Sequence, residues 1–238
     1  MAEIVNLGSL YLNGQPKDLG VEYHGEVLSF GNTIPGKTIP FVKWGNLLVA
    51  ARCVCTNISW EQLKKNGYIF GRLVKIDRGP YLCRSLKVGE EKDVPNEWDS
   101  ILDELGEDDS LWLWDDQYFW GQETSRKGAS ARAVRGYLSA RCWFYYYASD
   151  RLATVGFRPA LEPLLSGSLI SRSLIGSNLS IYGPDGDVCG QLVSFSDYDL
   201  IIRPSAQQIL HDECNWACMT QNHIVIDRSA VAWTKVGV

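Results

Sequence analysis

Turn-forming residues interrupt the apolar runs of this chain at short intervals, and this spacing limits the folds that it can form. Turn signals such as Asn13-Gly14 and Gly31-Asn32 recur through the first 50 residues, and apolar runs such as residues 39–42 are short. Short apolar runs bounded by glycine, proline and asparagine are typical of strands and loops. We therefore expect a fold that is rich in short β-strands.

Two segments carry the signals of short helices. The first helix is expected over residues 60–66, because Ser59 begins a capping box and Gly67 supplies a stop signal. The second follows Asn96 and ends at Gly106, with apolar residues between them at positions i, i+3, i+4 and i+7. The other expected elements are strand pairs at residues 68–88 and 179–195, a connector at residues 160–180, a third helix at residues 205–218, and strands at residues 224–226 and 231–233.

Composition excludes several classes of protein. Hydrophobic residues make up 45% of the 238 residues and charged residues 21%, which argues against global disorder. The formal net charge of −5 argues against general nucleic-acid binding, which needs a basic surface. No apolar run reaches the roughly 18 residues of a transmembrane helix, and we find no secretion signal at the N-terminus.

Cysteine and tryptophan are both informative here. Seven cysteines cannot all pair, and we expect free thiols in a reducing cytosol. Five of the nine tryptophans fall between Trp98 and Trp143, and we expect most of them to fill the core.

Charge is divided between two neighbouring stretches. Residues 90–123 carry 13 acidic residues and one basic residue, and residues 124–158 carry seven basic residues and one acidic residue. We expect the two stretches to meet in internal arginine–carboxylate pairs beside a solvated acidic face. The alternative is an arginine-lined pocket for an anion, since the guanidinium fork suits phosphate and carboxylate.

Three short elements follow one another in the middle of the chain: Arg135-Gly136, Ser139-Ala140-Arg141 and Gly156-Phe157-Arg158. This order resembles the C-terminal core of the C-type-lectin-like fold in two families. One is the formylglycine-generating, sulfatase-modifying enzyme family. The other comprises the variable proteins of diversity-generating retroelements, which include phage tropism determinants. The resemblance is close over about 30 residues.

The resemblance implies an α+β fold, with a C-type-lectin-like domain of two short helices and twisted antiparallel strands over residues 1–162. Residues 163–238 extend beyond the point where those families usually end, and we expect a small β-rich C-terminal domain or extension there. In such a fold we expect Arg135, Arg141 and Arg158 first to tie irregular loops to carbonyls and carboxylates.

The resemblance to the enzyme family does not include its catalytic cysteines. That family carries a cysteine pair between the first two elements, where this chain has only Tyr137 and Leu138. Cys142 lies just past the second element and has no cysteine near it in sequence. We therefore expect no copper-dependent thiol oxidation, no cofactor and no enzymatic activity.

The variable proteins place their exposed binding face between the second and third elements. The equivalent tract, residues 142–150, is rich in the tyrosine, serine and aspartate that are typical of protein-binding surfaces. The alternative is a buried strand, with odd- and even-numbered residues on opposite faces and one face in the core. The candidate ligand-binding residues are Trp143, Tyr145, Tyr146, Tyr147, Ser149, Asp150, Arg135 and Arg141.

These features favour a non-enzymatic recognition or sequestration protein of the kind found among phage and prophage genes, which binds a host protein through its aromatic face. One alternative is a sponge-like binder of a small anionic ligand, such as a nucleotide immune signal, with rings on the base and arginines on the phosphate. Another is an enzyme similar to the formylglycine-generating family. We expect the protein in the host cytoplasm or in the virion.

Metal sites have less support. Four residues of zinc-ligand type lie near the C-terminus: His211, Cys214, Cys218 and His223. Buried free thiols explain them better, because the pattern is not that of a standard finger. The acidic pairs at residues 185–187 and 108–109 lack the ligand spacing of an EF-hand, so we expect a turn and a solvated face there. Nucleotide-loop motifs are absent, and nothing points to a catalytic triad.

Overall fold

Short strands joined by tight turns dominate the computed structural model of the protein, as the turn signals predict. The structure describes residues 2–77, 79–114, 116–165, 167, 170–184, 186–205 and 215–237. The chain divides into two compact units, Met1–Glu162 and Pro163–Val238. In the described residues, three α-helices accompany mainly antiparallel sheets, which is a sheet-rich α+β fold. All three helices lie within residues 1–162, where we expected two.

The first unit contains all three of these helices and two sheets. Its helices are α1 (Trp60–Lys65), α2 (Glu97–Leu105) and α3 (Asp109–Trp112). Its strands, in chain order, are β1 (Ile4–Leu12), β2 (Gln15–Pro16), β3 (Val21–Glu22), β4 (Leu28–Gly31), β5 (Thr38–Trp44), β6 (Leu47–Ala50), β7 (Cys55–Thr56), β8 (Arg72–Ile76), β9 (Gly79–Arg84), β10 (Tyr118–Thr124), β11 (Ala131–Gly136), β12 (Trp143–Tyr147), β13 (Val155–Phe157) and β14 (Ala160–Pro163).

The first unit contains an eight-stranded and a six-stranded sheet, and the six-stranded sheet carries the aromatic strand β12. The eight-stranded sheet has the order β2-β1-β5-β6-β14-β9-β8, and β4 also pairs with β1. The six-stranded sheet has the order β12-β11-β10-β13-β7-β3, with parallel pairing between β10 and β13 and between β3 and β7. This second sheet carries all three elements of the resemblance on or beside its strands, and its outermost strand is the aromatic β12.

The second unit is one six-stranded antiparallel sheet with the order β18-β19-β17-β16-β15-β20. Its strands are β15 (Asn178–Gly183), β16 (Gly186–Phe195), β17 (Asp199–Pro204), β18 (Ala217–Met219), β19 (Ile224–Asp227) and β20 (Trp233–Val236), and single 3-10 turns lie at Arg172–Leu174 and Arg228–Ala230. The predicted hairpin of β15 and β16 is confirmed.

Two expectations for the later part of the chain need correction. The connector expected from residue 160 begins instead with β14, which pairs with β6 because its buried residues Ala160 and Leu161 complete that sheet. The end of the predicted third helix is strand β18, held by pairing with β19. The rest of that helix, residues 206–214, lies outside the described residues.

The first two helices form where their caps predict. The Ser59 hydroxyl accepts a hydrogen bond from the Gln62 N–H at 3.1 Å, and the Gln62 side chain accepts one from the Ser59 N–H at 2.9 Å. At α2, the Asn96 side chain accepts from Asp99 N–H, and Gly106 ends the helix at φ 86°. No described helix is long and apolar enough to cross a membrane.

Tryptophans fill the core of the first unit, as predicted for most of them. Trp98, Trp112 and Trp120 are fully buried. Each indole N–H donates to a backbone carbonyl, which removes the cost of burying a polar group. Trp114 and Trp143 are only partly buried. The six cysteines in the described part of the chain are free thiols.

Arg158 is fully buried directly after β13. Its guanidinium donates to the carbonyls of Ala50 and Ala51 at 3.2 and 2.8 Å, and to that of Leu113 at 3.3 Å. It also lies over the Trp98 and Phe119 rings, 5.5 and 4.9 Å from their centroids. Burial lowers the pKa of Arg158 to about 10, so the group stays charged at neutral pH.

Replacing Arg158 therefore tests how much the first unit depends on it. We expect Arg158→Met to lower the free energy of unfolding by about 2–4 kcal/mol, since it leaves buried carbonyls without donors. The control is Arg126→Met, which removes an exposed arginine with only surface ion pairs and is expected to cost less than about 1 kcal/mol. Urea denaturation measures both, and equal losses would contradict the role of Arg158.

Candidate functional site

Strand β12 lies at one end of the six-stranded sheet, and within the described part of the chain it pairs only with β11. The register runs from Arg135 opposite Trp143 to Ala131 opposite Tyr147. Side chains alternate along a strand, so Trp143, Tyr145 and Tyr147 lie on one face and the two even-numbered rings on the other. This is the alternation that the sequence predicts.

The structure packs part of each face, rather than one face entirely. Trp143 packs against one core cluster, and its indole N–H donates to the Gly89 carbonyl at 3.0 Å. On the other face, Tyr146 packs edge-on against Tyr118 and Trp120, with centroid distances of 5.7 and 6.4 Å. Trp143 and Tyr146 therefore anchor the strand from its two sides.

Exposed side chains lie next to these anchors. Phe144 is 44% exposed and Tyr147 is 60% exposed, and Leu138, in the turn that leads into β12, is 73% exposed. Phe144 also stacks on Tyr145, with centroids 5.3 Å apart. We call this surface the aromatic edge, which comprises Tyr118, Tyr137, Leu138, Phe144, Tyr145, Tyr146 and Tyr147.

The turn between β11 and β12 is held in an unusual conformation. Tyr137 has a φ of 77°, which is rare for a residue with a side chain. Its N–H donates to the carbonyls of Trp114 and Gln117, and its ring stacks on Tyr118 at 5.0 Å with an interplanar angle of 8°. At Gly136 a Cβ atom would come within 2.3 Å of the Gln117 carbonyl, so this position needs glycine.

Ser149 and Asp150 lie in the turn that follows β12. The Asp150 carboxylate accepts a hydrogen bond from the Tyr147 N–H at 2.9 Å, and the Tyr147 carbonyl accepts one from the Asp150 N–H. Asp150 thus closes the end of the strand. Ser149 is exposed beside it.

The two arginines of the predicted site are engaged by the protein itself. Arg135 is buried and donates to the carbonyls of Val88 and Arg141 and to the carboxylate of Asp99, at 3.0, 2.8 and 2.6 Å. Burial lowers the pKa of Arg135, and the Asp99 charge opposes that shift. These contacts are those expected of an arginine that ties loops together.

Arg141 forms the outer part of the same network. It pairs with Asp103 and Glu107 on or beside α2, at 2.7 and 2.5 Å, and lies 3.7 Å from Asp99. The acidic and basic stretches therefore do meet in arginine–carboxylate pairs, as predicted. Because both guanidinium groups already face carboxylates, the structure does not bring Arg135 and Arg141 together with the exposed rings as an open anion pocket.

The described residues contain no cluster of three or more metal-ligating side chains. Of the zinc candidates, His211 and Cys214 lie outside the described residues, as does Asp185 of the calcium candidates. The Asp108 carboxylate accepts a hydrogen bond from the Ser110 N–H at the start of α3. That of Asp109 accepts one from the Trp114 N–H.

Sequence reasoning missed four members of the aromatic edge: Tyr118, Tyr137, Leu138 and Phe144. Tyr118 is far from β12 in sequence, and the pairing of β10, β11 and β12 brings its ring beside Phe144 and Tyr146. Tyr137 stacks on Tyr118 from the turn before β12. Phe144 itself was left out of the candidate residues although it is exposed. Its place between two half-buried rings was not evident from alternation alone.

No family model, curated protein or solved structure matches this chain.

The geometry predicts that truncating one tyrosine lowers stability much more than truncating its neighbour. Tyr146→Ala should lower the free energy of unfolding by about 1.5–3 kcal/mol, because it removes contacts with Tyr118 and Trp120. Tyr147→Ala should change it by less than about 0.5 kcal/mol, since that side chain is mainly in solvent. Urea denaturation compares the two variants, and a larger loss for Tyr147→Ala would contradict the packing described here.

Proposed function

We propose that this protein is a non-enzymatic recognition protein that binds another protein through the aromatic edge. The observation that carries the proposal is that Leu138, Phe144 and Tyr147, all substantially exposed, lie on the outermost strand of a sheet or in the turn that leads into it. Phe144 and Tyr147 lie on the two faces of this strand, so the exposed groups flank its open edge. Exposed apolar groups of this size are typical of interaction sites when they cluster. Aromatic rings also provide large contact area at a small cost in side-chain entropy.

The backbone of β12 adds a second means of recognition. The Gly136 N–H donates to the Cys142 carbonyl, and opposite residues in an antiparallel pair alternate between bonded and non-bonded pairs. The N–H and C=O groups of Trp143 and Tyr145 therefore point away from β11. Among the described residues, no strand pairs with this side of β12. An extended segment of a partner protein can pair there as an additional strand.

Asp150 limits the length of that open edge. The backbone N–H and C=O of Tyr147 also point away from β11, and both form hydrogen bonds with Asp150. The pairing site is therefore confined to Trp143 and Tyr145. A short pairing site needs side-chain contacts to provide most of the affinity, and the exposed rings are placed to supply them.

The resemblance to the C-type-lectin-like fold supports the same reading. In the retroelement variable proteins the tract between the second and third elements is the binding face, and here it forms the aromatic edge. We propose accordingly that the first unit is a C-type-lectin-like domain of phage or prophage type. Its partner would be a host protein, encountered in the host cytoplasm or from the virion.

The alternative functions find less support in this geometry. A nucleotide held by Arg135 and Arg141 would have to compete with the carboxylates that already engage them. Of the thiols in the described residues, Cys53, Cys55 and Cys83 are all buried, and burial raises the pKa of Cys53 to about 11. Thiol chemistry needs an accessible thiolate, so these residues do not favour an oxidase.

The side-chain contribution is tested by removing the two exposed rings. We expect the double variant Phe144→Ser, Tyr147→Ser to weaken partner binding by about 100-fold or more, since such rings act as hot spots. Its melting temperature should fall by no more than about 5 °C, because Tyr147 is mostly exposed and Phe144 is nearly half exposed. Proteins captured from host lysate by wild type but not by the double variant identify the partner, and calorimetry with the purified partner measures affinity.

The matched control is Tyr198→Ser, which removes a tyrosine that is 79% exposed in the second unit. It should bind the partner as wild type does. Equal binding by all three proteins would overturn the proposal.

Strand pairing is tested separately at Tyr145. Tyr145→Ala and Tyr145→Pro both lose the ring, and only the proline also loses an N–H that points away from β11. Weaker partner binding by Tyr145→Pro than by Tyr145→Ala, at equal melting temperature, supports an added strand. Equal binding by the two variants would restrict recognition to side chains.

A further inference from the structure

A cavity of about 210 Å³ lies in the first unit, between the segment that follows β6 and the segment that follows α3. The described residues that line it are Arg52, Asp109, Leu113 and Gln117. Arg52 follows β6 by two positions, and its guanidinium lies against Gly20, where a Cβ atom would come within 3.0 Å. None of these residues belongs to the aromatic edge.

Arg52 differs from three other arginines of this unit in that it lacks a carboxylate partner among the described residues. Arg126, Arg135 and Arg141 each face at least one carboxylate, whereas Arg52 forms no ion pair with a described residue. Its Nε atom is buried and has no hydrogen-bond partner. A buried donor left unsatisfied costs about 1–3 kcal/mol, so the described residues do not complete the hydrogen bonding of this guanidinium.

A second arginine, Arg158, contacts Leu113, one of the residues that line the cavity. Arg158 is fully buried, and its Nη2 donates to the carbonyl of Leu113 at 3.3 Å. Arg158 also makes no ion pair with a described residue, and its Nε atom has no partner. Burial lowers the pKa of Arg158 and the charge of Arg52 adds to that shift, whereas Cys53 and Asp109 oppose it. Asp109 is the acidic residue among the described lining residues.

The wall of the cavity is held in a strained conformation. Leu113 has a φ of 41°, in the left-handed region that residues with side chains rarely adopt. Its N–H donates to the Asp109 carbonyl at 2.7 Å, and its carbonyl accepts from Arg158. Such conformations persist where surrounding contacts enforce them, and they are concentrated at ligand sites.

We propose that this cavity binds a small oxyanion, with a carboxylate or phosphate group on the Arg52 guanidinium. Planar guanidinium forks match the two oxygens of such groups, and the neighbouring charge of Arg158 adds to the attraction. The Gln117 amide provides a further donor at the rim. Asp109 faces the part of the ligand that carries a hydroxyl or amino group, since a carboxylate accepts hydrogen bonds.

The volume of the cavity restricts the size of the ligand. Sites for drug-sized molecules occupy roughly 300–1,000 Å³, and this cavity is smaller. It suits inorganic phosphate or a short hydroxy or amino acid, and it is too small for a nucleotide. The inference is independent of the proposed function, because it concerns different residues.

Titration with two small anions tests the proposal. The melting temperature and the amide NMR signals of Leu113 and Gln117 are followed while sodium chloride is replaced by sodium phosphate or sodium glycolate at constant ionic strength. We expect a saturable response to at least one of the two anions in the wild-type protein. A response to phosphate alone assigns a phosphate ligand, and a response to glycolate alone assigns a carboxylate.

Variants then locate the site. Arg52→Gln should raise the dissociation constant at least tenfold, whereas the matched control Arg72→Gln, at an exposed arginine, should leave it unchanged. Gln117→Leu keeps the charges of the site and should weaken anion binding several-fold. It provides the test of the site if Arg52→Gln does not fold. The double variant Phe144→Ser, Tyr147→Ser should bind the anion as wild type does.

No saturable response in the wild type would overturn the proposal. So would a response that both Arg52→Gln and Gln117→Leu retain at full strength. Because the aromatic edge takes no part in these titrations, failure of the anion site and failure of partner recognition are distinguishable.

Discussion

The buried guanidinium of Arg158 is the interaction on which the first unit depends. Three segments that are far apart in sequence, those at Ala50–Ala51, Leu113 and Phe157–Arg158, meet at one charged group. Irregular segments leave backbone carbonyls without regular partners, and a five-donor side chain satisfies several of them at once. Two aromatic rings complete its surroundings and supply the attraction that a carboxylate would otherwise provide.

The same principle extends outward to the aromatic edge. Arg135 joins Val88, Asp99 and Arg141, and Arg141 then joins the acidic side of α2. These contacts hold both ends of the turn before β12 while Tyr137 stacks on Tyr118. The result is a rigid strand with exposed rings, which is the arrangement that favours tight binding at a small entropic cost.

The role of each arginine in this unit therefore depends on the groups that its guanidinium contacts, and not on its position in the sequence. Arg135 and Arg141 stabilise the scaffold through carboxylates, and Arg158 does so through carbonyls and rings. Arg52 lines a cavity and forms no ion pair with a described residue. At the cavity that we propose for a small anion, the charge of Asp109 opposes that of Arg52, and the buried charge of Arg158 adds to that of Arg52. The protein-binding surface that we propose lies instead on β12, where the exposed side chains are mainly aromatic.

Local signals in the sequence determined the local structure of this protein. The capping box at Ser59, the cap at Asn96 with its stop at Gly106, and the hairpin of β15 and β16 are formed as predicted, because each depends on contacts within a few residues. Charge segregation likewise indicated arginine–carboxylate pairs. Alternation in β12 predicted one buried face, whereas the structure packs Trp143 on one face and Tyr146 on the other.

Only the tertiary structure decided which of those rings are exposed and which arginines lack partners. Tyr118 and Tyr137 join the aromatic edge through strand pairing, and the cavity at Arg52 exists because segments some 60 residues apart converge. Exposure and pairing depend on what packs against a residue from distant parts of the chain. A pattern of neighbours in sequence carries no information about those contacts.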